Sequence, residues 1–141
     1  MIFIPLTYKS WYLVMQPAFI SELKNEISIL KTLDHPNIVK AYEVYESKRN
    51  IELVMENCSG GDLHTRAPYS EMDAAKIIGK LLSAIVYMHE KNIVHRDLKF
   101  ENIMFENRLP DAEIKLIDFG LSKKCSKSGQ AMSETYGTMY T

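Results

Sequence analysis

His95-Arg96-Asp97-Leu98-Lys99-Phe100-Glu101-Asn102, followed downstream by Asp118-Phe119-Gly120, is the stretch whose reading decides the fold. Between the two clusters lie Ile103-Met104-Phe105 and Ile114-Lys115-Leu116-Ile117, strand-sized apolar runs separated by polar residues that include Leu109-Pro110-Asp111. The spacing predicts two short strands with the polar clusters in the loops at their ends. Binding and catalytic side chains concentrate in loops of that kind, held by a rigid frame.

Upstream, Ser70 with Asp73 three residues on reads as a capping box that opens a helix. Ala74, Ile77, Ile78, Leu81, Leu82, Ile85 and Met88 continue it as an apolar stripe at helical spacing, and His89-Glu90-Lys91-Asn92 ends it. Ser59-Gly60-Gly61-Asp62 is a breaker, and Ile93-Val94 is a further strand-sized run. Residues 38–45 and 50–55 read as two strands of a hairpin turning over 46–49. A first helix over 19–33 carries Ile20, Leu23, Ile27 and Leu30 on one face, widened by Ile29 and Leu33. Asp34-His35-Pro36-Asn37 stops it, because Pro36 disfavours the helical conformation at His35. Helix, hairpin, long helix and short strands together predict an α+β chain.

Composition narrows the function classes. The 141 residues are 46% apolar and 25% charged, one domain's worth of globular chain. A formal charge of −1 argues against a nucleic-acid partner, which needs a concentrated basic surface. Lys123-Lys124 reads as solvated surface. No apolar run approaches bilayer length, and residues 1–6 are interrupted by Pro5 with no basic stretch ahead, so neither a membrane partner nor a signal peptide is expected. Cys58 and Cys125 have no C-x-x-C or metal-ligand spacing and read as reduced thiols of a cytoplasmic protein. Residues 122–133, rich in Ser, Lys, Gly and Gln, are expected to form a mobile loop.

Transfer of a phosphoryl group asks a protein mainly to align the acceptor hydroxyl, neutralise developing charge and hold magnesium against the phosphates. A carboxylate, a lysine and an Asn–Asp pair of hard oxygen donors suit those tasks. One such triplet alone would carry little weight; H-R-D-L-K-x-x-N, a strand pair and D-F-G in that order make chance a poor account. On these residues the chain resembles the eukaryotic Ser/Thr protein kinases. The resemblance implies a protein-kinase-like fold, ATP and Mg2+ as cofactors, and protein substrates with Ser/Thr acceptors. It assigns Asp97 as catalytic base, Lys99 as phosphate contact, and Asn102 and Asp118 as magnesium ligands. Glu26, which alone would read as a solvated helix glutamate, becomes the αC glutamate. Met55 becomes the residue at the back of the adenine pocket and Met104 its floor, though both also suit an ordinary core. The backbone of Glu56 and Cys58 would bond adenine, and Asp62 ribose. The αC wording, the run 116–122 and the long 106–113 turn resemble the calcium/calmodulin-dependent and calcium-dependent kinases. No EF-hand loop occurs here, so a calcium-sensing module is expected only outside this chain.

The chain also departs from the family pattern. No G-x-G-x-x-G precedes the first helix, and Leu6-Thr7-Tyr8-Lys9 stands where V-A-I-K is expected but reads more readily as an exposed lysine on an unrelated stretch. The expected organisation is one partial kinase domain over 1–141. An incomplete N-lobe occupies 1–57, and an incomplete C-lobe occupies 58–141 and ends before A-P-E. Residues 62–70 leave little room for the family's next helix, and part of the long helix's apolar stripe is expected to remain wet. Counting back from Gly137-Thr138, which points to Ser/Thr acceptors, Glu134 falls where many kinases carry a phosphothreonine, and it would supply a permanent negative charge toward Arg96. Ser126, Ser128, Ser133 and Thr135 are candidate phosphosites. Glu101 and Asp62 would favour basic residues near the acceptor. The expected function is therefore an ATP- and magnesium-dependent Ser/Thr kinase in an incomplete domain. The alternative is a non-catalytic fragment acting as an interaction or regulatory module.

Overall fold

The computed structural model of the chain describes residues 6–12, 17–48 and 50–125. Gly137, Thr138, Glu134 and the candidate phosphosites from Ser126 onward lie outside the described residues, as do most of 1–6 and of 122–133. Strand β3 (Asn50–Glu56) shows strict period-two burial, with Ile51, Leu53 and Met55 buried and the residues between them half-buried. That alternation is what a strand with one core-facing side requires. It is the centre of a three-stranded antiparallel sheet, flanked by β1 (Leu6–Tyr12) and β2 (Ala41–Glu46). Helix α1 (Pro17–Leu30) begins at a proline, whose missing amide costs nothing in a first turn, and puts Leu23, Ile27 and Leu30 into the same buried cluster as Ile51, Leu53 and Met55.

Helix α2 (Glu71–Glu90) starts as the sequence predicts: the Asp73 amide donates to Ser70 Oγ at 3.1 Å, and that hydroxyl donates to the Asp73 carboxylate at 2.6 Å. Its stripe is narrower than the periodicity suggests. Ala84 and Met88 are buried and Ile77, Leu81 and Ile85 pack against the core, whereas Ile78, Leu82 and Val86 are each about half exposed. Two small antiparallel ladders follow among the described residues. Strand β5 (Ile103–Phe105) pairs with β6 (Ile114–Leu116), and β4 (Ile93–Val94) pairs with β7 (Lys123–Lys124).

Three boundaries differ from the sequence reading. Residues 6–12 form a full strand that no local pattern announces, in register with β3 from Leu6 opposite Glu56 to Tyr12 opposite Asn50. Strand β2 begins at Ala41, because Ile38 and Val39 are drawn to Leu116 instead: Ile38 bridges it in parallel and the Val39 amide donates to its carbonyl at 3.0 Å. Helix α1 ends at Leu30, and 31–33 close as a tighter turn with the Leu33 amide on Leu30 O. Lys123-Lys124, expected as plain surface, is exposed but pairs as β7. Residues 62–70 contain turns and no helix, as their length predicts. Among the described residues, no helix is long and apolar enough to cross a membrane.

Candidate active site

His95 anchors the loop that leaves β4. Its Nε2 lies 3.0 Å from the Ile117 carbonyl, and the Asp97 amide donates to its Nδ1 at 3.3 Å. Only the neutral ring with its proton on Nε2 serves both bonds. Burial of the side chain, 3% exposed, holds its pKa below the ordinary histidine value, although the Ile117 carbonyl and the carboxylates of Asp118 and Asp97 act in the opposite sense. The ring meets Phe119 edge-on at 4.9 Å between centroids, and Phe119 is fully buried.

From this anchor the chain turns sharply. Arg96 has φ +69, a left-handed backbone that costs a non-glycine residue of order 1 kcal/mol, and its Nε donates to Leu121 O. Asp97 follows, with its carboxylate Oδ2 3.0 Å from Lys99 Nζ and 3.0 Å from Asn102 Nδ2. The same Asn102 nitrogen donates to the Asp97 carbonyl at 2.9 Å, closing the loop on itself. The hydrogen bond to Asp97 raises the Lys99 pKa, so the ammonium stays charged. Asn102 O accepts from the Ile117 amide at 2.9 Å, which ties the loop to the residue before Asp118. Asp118 is also left-handed, at φ +60, and exposed, with Oδ1 accepting from the Gly120 amide at 3.3 Å.

Gly120 is where α1 joins the site. A Cβ there would stand 3.3 Å from Asp118 Oδ1 and 3.7 Å from Glu26 Oε2, so the Glu26 carboxylate abuts the D-F-G loop. Asn25 Nδ2 reaches Ser122 O at 3.4 Å, a second tie between α1 and this loop. Asp97, Lys99 and Asn102 are thus bonded to one another, while Asp118 and Glu26 both reach the space beside Gly120. Across the sheet, Lys9 holds the register position opposite Leu53, two residues along the strand from the pair of Thr7 and Met55. The sequence reading set Lys9 aside as an unrelated surface residue; the β1 pairing is what brings that position back into consideration.

The remaining candidates lie at the end of β3, in the connection that follows it and on β5. Met55 is buried and Met104 half-buried. Gly60 donates to Phe105 O at 2.9 Å, and Ser59 donates to Glu106 O at 3.1 Å, stitching the connection to β5. The packing there is close enough that a Cβ on Gly60 would fall 2.0 Å from Asn107 O. Asp62 bridges Met104 through the backbone, but its carboxylate is already engaged, accepting from the Thr65 amide at 2.7 Å. That bond lowers its pKa and gives the carboxylate a turn-holding task besides any role toward ribose. Burial pushes the Cys58 thiol up to about 11, so it is an inert side chain here. Local motifs gave no sign of Lys115, whose ammonium meets Glu56 Oε1 at 2.7 Å.

A model of the protein kinase domain matches residues 13–141. The chain is 45% identical over 125 residues, 86% of its length, to calcium-dependent protein kinase 5 of Plasmodium falciparum (isolate 3D7). It is 47% identical over 105 residues, 72% of its length, to the human calcium/calmodulin-dependent protein kinase type IV. In both cases it spans 22% of the relative's own length.

Proposed function

The chain belongs to the protein kinase family, and from that premise we propose that it carries the phosphoryl-transfer loops of an ATP- and magnesium-dependent Ser/Thr protein kinase. The carrying observation is the Asp97 carboxylate, held by Lys99 and Asn102 in a loop bonded back to the residue preceding Asp118. A carboxylate so fixed can accept the hydrogen bond of a substrate hydroxyl and orient its oxygen, while the Lys99 ammonium beside it meets charge developing on the transferred group. The donor chemistry of Asn102 and Asp118 fits magnesium. Asn102 commits its side-chain nitrogen to Asp97, so its side-chain oxygen Oδ1 is the atom it would offer a cation, and Asp118 offers an exposed carboxylate. Bound there, magnesium would neutralise phosphate charge. The neutral His95 keeps both loops in place from beneath.

The backbone of Glu56 and Cys58, with Met55 and Met104, would receive adenine. The lobes would divide at 57/58, with β1, α1, β2 and β3 on one side and the catalytic loops on the other. Protein Ser/Thr side chains would be the acceptors. The names of the two relatives support a calcium-sensing module elsewhere in the protein. A cytoplasmic site of action suits two reduced thiols.

The test is thermal melting of the chain with ATP in the presence and absence of magnesium. A magnesium-dependent stabilisation that Asp118→Asn abolishes is the expected result. A wild-type chain with no such shift, or a variant that keeps it, favours the non-catalytic interaction module instead.

A further inference from the structure

Four of the ion pairs on the surface, Lys24–Glu46, Lys40–Asp34, Lys76–Asp73 and Lys80–Glu113, have side chains 37–81% exposed and add little. Lys115–Glu56 is different, with both side chains only 12% and 11% exposed at 2.7 Å. Lys115 lies between Ile114 and Leu116, both buried, so the β6 alternation carries its stem to the opposite side, where the Glu56 carboxylate receives the ammonium. The other oxygen of that carboxylate accepts from the Lys40 amide at 3.2 Å, and the Glu56 amide donates to Lys40 O at 2.9 Å. One carboxylate therefore joins the end of β3, the segment at 40 and the middle of β6. Beside it, backbone bonds close the same junction: Leu116 N to Asn37 O at 2.8 Å, and Val39 N to Leu116 O at 3.0 Å. Asn37, itself buried, adds a bond from Nδ2 to Ile114 O at 3.0 Å.

Glu56 is the last residue of β3, two before Cys58, and Lys115 stands three before Asp118. We propose that Glu56 and Lys115 are positioning residues whose ion pair locks the adenine side of the cleft in register with the strand that delivers Asp118. The pair is a geometric lock rather than a source of net stability, because charges withdrawn from water persist only while matched. Sliding β6 against β3 by one residue would leave an ammonium and a carboxylate largely out of water without partners. The backbone bonds at 37–39 alone tolerate such fraying more readily. This proposal rests on the kinase reading above, and it predicts that nucleotide and magnesium binding are coupled through Lys115 although Lys115 touches neither.

The variants are Lys115→Met, which keeps the apolar stem but loses the charge, and Lys115→Arg, which keeps the charge opposite Glu56. Two measurements are made on the 141-residue chain. Amide hydrogen exchange without nucleotide should accelerate by about tenfold at Leu116 and Val39 in Lys115→Met and stay within about twofold of wild type in Lys115→Arg. In Lys115→Met, affinity for a fluorescent ADP should change by no more than about twofold without magnesium, while the gain on adding magnesium falls by about fivefold or more. Unchanged exchange in Lys115→Met overturns the lock by itself, whatever the nucleotide result. Accelerated exchange with an undiminished magnesium gain, or with equal losses in both conditions, reduces the pair to a structural tie and overturns the positioning role. A wild-type chain that binds no ADP in either condition overturns the kinase reading and the positioning role with it, a result separable from the first by the exchange data.

Discussion

Asn102→Ala tests whether the catalytic loop is held by Asn102 as the geometry implies. The side chain is 5% exposed, and its nitrogen makes two bonds to Asp97, one to the carbonyl at 2.9 Å and one to the carboxylate at 3.0 Å. A neutral bond contributes about 1 kcal/mol and one to a charged group about 1.5–3 kcal/mol, so truncation removes roughly 2.5–4 kcal/mol before relaxation. Lys99 still pairs with the carboxylate, and a water at the site would return about 1 kcal/mol of that. The net expectation is a loss of about 1.5–3 kcal/mol, read as a melting temperature lower by roughly 5–10 °C for a chain of this size. Asn102→Asp is the sharper companion, being nearly isosteric yet placing a second carboxylate on Asp97. Two such charges about 3 Å apart repel by roughly 5 kcal/mol at an effective dielectric of about 20, less whatever Lys99 screens. One carboxyl is then driven to hold a proton, its folded pKa raised above the unfolded value near 4. A raised folded pKa means that the folded form binds the proton more tightly, so acidification favours folding. Melting curves at pH 7.5, 6 and 5, each read relative to wild type, should show the deficit of Asn102→Asp shrinking as pH falls while that of Asn102→Ala stays level. An alanine variant that melts within about 1 °C of wild type would refute the assigned role of the amide. So would an aspartate variant whose deficit grows on acidification.

Glycine positions offer a paired control on packing. Gly60→Ala should cost at least about 1–3 kcal/mol in urea unfolding, since its Cβ would meet the Asn107 carbonyl oxygen at 2.0 Å, whereas Gly79→Ala should gain about 0.5–1 kcal/mol because nothing lies within 4 Å and the site is mid-helix. Equal effects of the two changes would contradict the close approach at residue 60. His95, held neutral by burial, has a folded pKa below its unfolded one, so the stability it contributes is present above about pH 6.5 and lost as pH falls through the folded value. Urea midpoints between pH 7.5 and 5.5 should therefore fall more steeply for wild type than for His95→Gln, and parallel slopes would remove histidine from that account.

Much of the site was legible because its parts are close in sequence. His95 through Asn102 form a loop whose bonds run between near neighbours, so residue type and spacing carry its chemistry directly. The same holds for the Ser70–Asp73 cap, which satisfies amides within one helical turn, and for the two-residue reach from Asp118 to Gly120. Asp62 shows the limit even of local reading: the carboxylate that the resemblance assigns to ribose accepts from the Thr65 amide three residues away.

What the sequence alone determined about this protein is the set of chemical groups and the loops that carry them, since these depend on contacts of short range. Tertiary structure decided everything that depends on which surfaces meet. Strand β1 exists because β3 has an open edge for it to pair with, and that pairing alone puts Lys9 opposite Leu53. Ile38 and Val39 leave the β2 strand because Leu116, far along the chain, offers them a better partner. Glu56 and Lys115 read as ordinary strand charges until β3 and β6 come together around residue 40. Alternation and helical period predict a buried face, but not what covers it; Ile78 and Leu82 lie on the stripe of α2 and remain half exposed.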